Sequence, residues 1–356
     1  MFQQQMSVYC TFFDHGYLAQ GLALWDSLRR HEPDAVLVVL ALDADTDAIL
    51  RAIAPPALQL LSLDGLLAAD PQLAAARVNR DRREFAYTVK PCLCRYLVPQ
   101  GEPGAVVVYL DSDLYFFGSP RVIQHEMGDH SVLIVPHRYP AWHDGSREYG
   151  RFNAGLLAFR NDAAGCACLE HWRMRCLDSC ALLAGGASYG DQKYLDEWPA
   201  RFGASAKISE NSGLNLAPWN WARHRCEVLP EAVMVDGVPL VVFHYARFRQ
   251  ISVRWFDSGQ LEYGIMPLRL RSRLYGEYWS ALQKAENLVR SVRPDYALSR
   301  KGWRETMPAW HLALLCIVWG QYWWRLGPWW LAGRFGMGYW AGRVMGPYRQ
   351  RRRNRK

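Results

Sequence analysis

The first part of the chain alternates between unbroken apolar runs and segments whose apolar residues recur every three or four positions. Ser7–Phe13 ("SVYCTFF") and Ala35–Asp43 ("AVLVVLALD") are continuous runs, the pattern of strands covered on both faces. Between them, Leu18, Leu22, Trp25 and Leu28 fall at helical spacing. Strand, helix, strand in that order predicts a parallel α/β sheet. The alternation continues with a helix over Thr46–Ile53, a strand over Leu58–Leu63, a helix over Glu84–Val98 and a strand from Val106 that ends at Asp111. Strands then follow at Ser131–Pro136 and Asn153–Phe159, a helix over Ala163–Leu183, and late short strands at Ala232–Gly237 and Pro239–Tyr245.

The 356 residues suffice for one large α/β domain with an appendage, or for two domains. Half are hydrophobic and 21% charged, which supports a sizeable core and excludes wholesale disorder. The opening "MFQQQMSVYC" lacks the basic stretch, apolar run and small-residue cleavage site of a secretory signal. A reducing compartment is therefore expected. The nine cysteines include the pairs Cys92/Cys94, Cys166/Cys168 and Cys176/Cys180, none with C-x-x-C spacing. They read as small buried thiols rather than disulfides or zinc ligands.

Charge divides the chain at about residue 300. After Glu305 no acidic residue occurs, while nine Arg and Lys residues do, so Met1–Glu305 is near −1 although the whole chain is +8. With a near-neutral globular part and no nucleic-acid-reading motif, nucleic acid is not expected as a partner.

The strand ending "VVVYLDSDLYFF" (Val106–Phe117) carries the first candidate chemistry. On an extended segment Asp111 and Asp113 point the same way, and two like charges at that distance repel unless a cation lies between them. Hard oxygen ligands suit Mg²⁺ or Mn²⁺. A solvated turn is the competing reading. The carboxyl end of a central strand is where open α/β sheets bind ligands.

Four segments in order, "VVVYLDSDLYFF", "RFNAGLLAFR", "SYGDQKYLDEWP" and "VVFHYARF", resemble the sequential motifs of GT-A-fold glycosyltransferases of the glycogenin and lipooligosaccharide galactosyltransferase type (glycosyltransferase family 8). The resemblance spans about Ser7–Phe248. It implies a GT-A nucleotide-sugar-binding domain, and the shift in composition near Arg300 bounds that domain at residues 1–300, with a helical part from about 250. It also implies retaining transfer of a sugar from a UDP-sugar donor, with Mn²⁺ or Mg²⁺. By the same resemblance, Asp111, Asp113 and His244 hold the metal, with Asp111 also near the ribose. A histidine satisfied by a backbone carbonyl is the alternative for His244. Asn153 and Gly155 meet the donor, or else form a turn before a strand. Asp191 and Gln192 are the catalytic pair, Asp191 serving either as the nucleophile of a double displacement or as an orienting group, and a helix-capping role for Asp191 stays open. Thr11 and Tyr17 match nucleotide-base contacts, with Asp43 a weaker candidate; Lys90 matches a phosphate contact, and Arg247 or Arg249 is the candidate for a second one. After the histidine the family commonly shows Gly and then Lys-Pro-Trp, whereas this chain reads "HYARFRQISVRW". Acceptor choice is assigned to the loops Ala141–Arg151 and Ala217–Arg225, and "APWNW" (Ala217–Trp221) is expected to line the pocket.

The tail, residues 301–356, holds eight of the sixteen tryptophans among Gly, Arg and Leu. Its uncharged stretch Thr306–Trp324 is nineteen residues long, yet Trp310 and Trp323 lie only about 20 Å apart along a helix, against a hydrocarbon core of about 30 Å. The expectation is a helical segment lying in the plane of an anionic membrane surface, where indole and guanidinium groups are stable. That places the protein at the cytoplasmic face of the membrane, with a lipid-linked glycan as acceptor. A catalytically silent scaffold or glycan-binding protein on the same fold is the competing function.

Overall fold

The computed structural model describes residues 8–182, 188–250, 255–258, 263–264, 266–296 and 322–324. The mixed α/β architecture is as expected, built on a seven-stranded, mostly parallel sheet. In chain order its first half comprises β1 (Val8–Phe13), α1 (Leu18–His31), β2 (Val36–Ala41), α2 (Ala44–Ile53), β3 (Leu58–Ser62), α3 (Leu63–Ala69), α4 (Pro71–Val78), α5 (Arg82–Leu97) and β4 (Val106–Leu110). The short β5 (Leu114–Phe116), α6 (Arg121–Met127), β6 (Val132–Pro136), α7 (Ser146–Tyr149), β7 (Phe152–Arg160) and α8 (Ala163–Asp178) follow. Then come α9 (Trp198–Phe202), β8 (Ala206–Ile208), β9 (Leu214–Leu216), β10 (Cys226–Val228), β11 (Val233–Val235), β12 (Val238–Pro239), β13 (Val242–His244) and α10 (Leu268–Val292).

The strand order is β3-β2-β1-β4-β7-β6-β8, with only β7 running against the rest. The first crossovers step from β1 outward to β3, and the chain then returns to lay β4 on the other side of β1. That reversal opens a crevice at the carboxyl ends of β1 and β4, and Asp111 follows β4 directly.

Each face of the sheet buries its own core. Alternate residues of the strands send Tyr9, Val108 and Leu110 toward α1, α2 and α10, and Cys10, Val107 and Tyr109 toward α5, α8 and α9. The α1 stripe of Leu18, Leu22 and Leu28 is buried as the spacing predicts. Helix α10 packs on α1 and brings Tyr275 and Tyr278 against Tyr245, so it belongs to the same core rather than to an appendage.

One expectation is corrected. The helix read through to Leu183 stops at Asp178, because Ser179 is extended and the Arg80 guanidinium takes the terminal carbonyls of Cys176 and Leu177. The carboxyl end is thereby capped from outside the helix. The tail, read as helical, lies outside the described residues except for Tyr322–Trp324, which form a strand antiparallel to Trp255–Asp257. Three consecutive aromatic residues favour the pleated state. Among the described residues, no helix is long and apolar enough to cross a membrane, and the eight described cysteines are free.

Trp172 anchors the second core, fully buried against Phe159 and Trp198. Trp172→Ala is expected to cost about 3–5 kcal/mol of unfolding free energy, read from urea denaturation.

Candidate functional site

Strand β4 delivers Asp111 into the crevice, and the next three residues turn back on themselves. The Leu114 N–H donates to the Asp111 carbonyl at 3.1 Å, so Asp111-Ser112-Asp113 is a tight turn and not the extended segment expected. Both carboxylates still converge, because the turn leads into β5, and β5 pairs antiparallel with β13 with Leu114 opposite His244. That register sets the imidazole beside the carboxylates from 131 residues later in the chain. His244 Nε2 lies 3.1 Å from Asp113 Oδ1 and 3.9 Å from Asp111 Oδ2.

One ligand atom from each of Asp111, Asp113 and His244 lies within 4.8 Å of the others. Two carboxylate oxygens and an imidazole nitrogen form a donor set suited to Mn²⁺ or Mg²⁺. Burial raises the Asp113 carboxyl, but the imidazole beside it prevails and holds it below the usual carboxylate range. Burial likewise opposes the charged imidazole, and Asp113 overcomes this to lift His244 above its ordinary value. The site therefore attracts positive charge. Space for it is kept by Gly155, where a Cβ would stand 2.5 Å from His244 Cε1 and 2.9 Å from Asp111 Oδ2.

Lys90, on α5, joins this cluster to Asp191. Its Nζ is 3.1 Å from Asp111 Oδ1 and 2.8 Å from Asp191 Oδ2, and it donates to the Ala154 carbonyl at 3.3 Å. Tyr109 supports the arrangement from below, its ring 5.0 Å from the ammonium and its hydroxyl donating to Asp111 Oδ1 at 2.8 Å. Burial works against the lysine charge, and the two carboxylates more than restore it, holding its pKa above the ordinary range. Lys90, expected at a phosphate contact, is thus placed between the carboxylates of Asp111 and Asp191. Asp191 is no helix cap, since Gln192 occupies the cap position of the short turn Lys193–Glu197. Instead the Asp191 carbonyl accepts from Trp172 Nε1 at 2.8 Å and its carboxylate faces Lys90.

Side-chain amides continue the site. Asn153 Nδ2 donates to Gln192 Oε1 at 3.0 Å, and Gln192 Nε2 to the Tyr149 carbonyl at 2.8 Å. Trp219, in the segment expected to line the pocket, packs edge-on to His244 with centroids 5.1 Å apart and donates to the His137 carbonyl. Hydrogen bonds, ion pairs and close packing thus unite Asp111, Asp113, His244, Lys90, Asn153, Gly155, Asp191 and Gln192. The other candidates are placed differently. Thr11 is fully buried within β1, and Tyr17 is half exposed ahead of α1. Asp43 caps α2, accepting from Thr46 N and His15 N at 2.8 Å each. Arg247 takes a left-handed backbone with φ 64°, and its guanidinium lies 5.8 Å from the Tyr263 ring centroid.

Asn215 was not anticipated. It is fully buried, bonded to both His244 and Asn153, and its sequence signal is a lone amide between Leu214 and Leu216 in an apolar strand.

No protein-family model matches the chain. Over 255 residues it is 31% identical to the uncharacterized protein YfnF of Bacillus subtilis (strain 168), an alignment covering 69% of this chain and 83% of YfnF. The chain belongs to the YfnF family. This YfnF-family chain is also 24% identical over 295 residues to the uncharacterized protein YfnD of the same organism, covering 81% of this chain and 93% of YfnD. Among solved structures it is similar to the galactosyltransferase LgtC in complex with donor and acceptor sugar analogs, at 17% identity and a TM-score of 0.48, over 80% of this chain and 96% of LgtC.

The role of Gly155 in this YfnF-family site is directly testable. Gly155→Ala places a methyl group against His244 and Asp111, and is expected to weaken Mn²⁺ binding by about tenfold or more, measured by isothermal titration of Mn²⁺ into the purified protein.

Proposed function

We propose that the protein is a metal-dependent, retaining hexosyltransferase with a GT-A nucleotide-sugar site. In this reading it moves a hexose or N-acetylhexosamine from a UDP-sugar to a lipid-linked or cell-surface glycan. The observation that carries the reading is the convergence of two carboxylates and one imidazole at the carboxyl end of β4, with the Asn153–Gly155 and Asp191–Gln192 segments packed around them. These are the segments whose sequences resemble family 8 glycosyltransferases.

Mn²⁺ or Mg²⁺ held by Asp111, Asp113 and His244 would supply positive charge where the nucleoside diphosphate leaves. The chain's own groups act around it. Lys90 keeps Asp191 and Asp111 paired in a site where unpaired carboxylates would be costly. The amides of Asn153 and Gln192, already oriented by backbone groups, are suited to sugar hydroxyls. Asp191 is 2% exposed and locked to Lys90, which favours an orienting, charge-stabilising role and return of the acceptor from the leaving-group side over a covalent intermediate.

The donor assignment is tested by thermal-shift titration with UDP, GDP, CMP and dTDP, each with and without Mn²⁺. A ligand at a hundredfold excess over its Kd adds about 2.7 kcal/mol to stability. The expected result is a Mn²⁺-dependent shift with UDP that is lost in Asp113→Asn. No shift with any nucleotide would overturn the reading and favour the silent scaffold.

The acceptor proposal rests on the tail's composition. Nine basic residues without an acidic one beyond Glu305 would each gain roughly 1 kcal/mol near an anionic lipid surface. The full-length protein is expected to co-sediment with phosphatidylglycerol vesicles, not with phosphatidylcholine vesicles, and to be released by salt. Equal sedimentation with both would count against the membrane assignment.

A further inference from the structure

Asn215 occupies a position that the backbone goes out of its way to create. Strand β9 pairs in parallel with β13, Val242 opposite Leu214 and Phe243 opposite Leu216, so Asn215 is the extra residue of a bulge. Its φ of 66° lies in the left-handed region, which asparagine tolerates better than most residues. A bulge redirects the side chain it carries and recurs beside functional sites. Here the redirected amide sits, fully buried, between His244 and Asn153. The Asn215 carbonyl accepts from Asn220 Nδ2 at 3.1 Å, which fastens the bulge.

Backbone groups fix the direction of every bond in this chain of amides. The Gly155 N–H can only donate, and it meets Asn153 Oδ1 at 3.0 Å. The Asn215 atom 3.1 Å from that same oxygen must therefore be the donor, Nδ2. Its other atom is then Oδ1, and His244 Nδ1, 3.1 Å away, must carry a proton and donate to it. At the far end, the Ala154 N–H at 3.3 Å identifies Gln192 Oε1 as an acceptor, and that oxygen takes Asn153 Nδ2. With Nδ1 committed, His244 turns Nε2 toward Asp113 and Asp111.

We propose that Asn215 is a positioning residue with two arms, one presenting His244 Nε2 to the metal and the other holding Asn153 and, through it, Gln192 in the orientation that reads the donor sugar. The first arm rests on the metal assignment and the second on the glycosyltransferase reading as a whole. Outer partners of a ligating histidine typically change metal affinity 10- to 100-fold when removed.

Two variants separate the arms. Asn215→Gly keeps the left-handed backbone without strain and removes both bonds. Asn215→Asp keeps an acceptor for His244 Nδ1 but has no donor for Asn153 Oδ1. Mn²⁺ alone is titrated calorimetrically into each full-length protein, with His244→Ala as the reference for a lost ligand. UDP-glucose, UDP-galactose and UDP are then compared by thermal shift in saturating Mn²⁺. Asn215→Gly is expected to weaken Mn²⁺ binding about 10- to 100-fold. Asn215→Asp is expected to bind Mn²⁺ at least as tightly as the native protein, and to lose any preference for a UDP-sugar over UDP. Native Mn²⁺ affinity in Asn215→Gly would overturn the metal arm, and an unchanged sugar preference in Asn215→Asp would overturn the other. If native protein and His244→Ala bind Mn²⁺ alike, the metal site itself fails. If the native protein binds Mn²⁺ but shifts equally with UDP and both UDP-sugars, the metal arm stands and the sugar reading falls.

Discussion

Three carboxylates brought together at one end of a sheet are the constraint that the rest of this structure answers. Asp111 and Asp113 share His244, and Asp111 and Asp191 share Lys90. Like charges in a partly desolvated crevice repel strongly unless they are paired. Lys90 offsets part of that negative charge, and a divalent cation held by Asp111, Asp113 and His244 would offset more. The groups nearest the cluster serve this end: Tyr109 supports both Asp111 and Lys90, and Gly155 leaves the space unfilled.

The fold supplies the rigidity that such a cluster needs. Strands covered on both faces do not shift when a site charge changes, because each side chain is already packed in a dense interior. The second core reaches the site through Trp172, whose indole holds the Asp191 backbone. The first core reaches it through β5 and β13, whose pairing carries His244, and Tyr245 next to it is stacked on Tyr278 of α10. The site is thus tied to both layers of the molecule.

Charge is divided with equal clarity along the chain. Met1–Glu305 is near neutral overall, with the carboxylates of Asp111, Asp113 and Asp191 in the crevice, while the residues beyond Glu305 include nine basic and no acidic side chains.

Most of the architecture was legible before any coordinates, because strands buried on both faces read as unbroken apolar runs and the helices between them keep a 3.6-residue period. Asp111, Asp113, Asn153, Gly155, Asp191, Gln192 and His244 were legible as a set because four motifs stand in a familiar order. Local pattern could not say how they meet. The turn at Asp111–Leu114, the register that places His244 opposite Leu114, the commitment of Lys90 to carboxylates and the bulge at Asn215 all depend on partners far away in sequence. Such pairings are chosen by the free energy of the assembled whole, so composition and periodicity determined the layers, and tertiary structure alone decided which side chains share the crevice and which atom each presents.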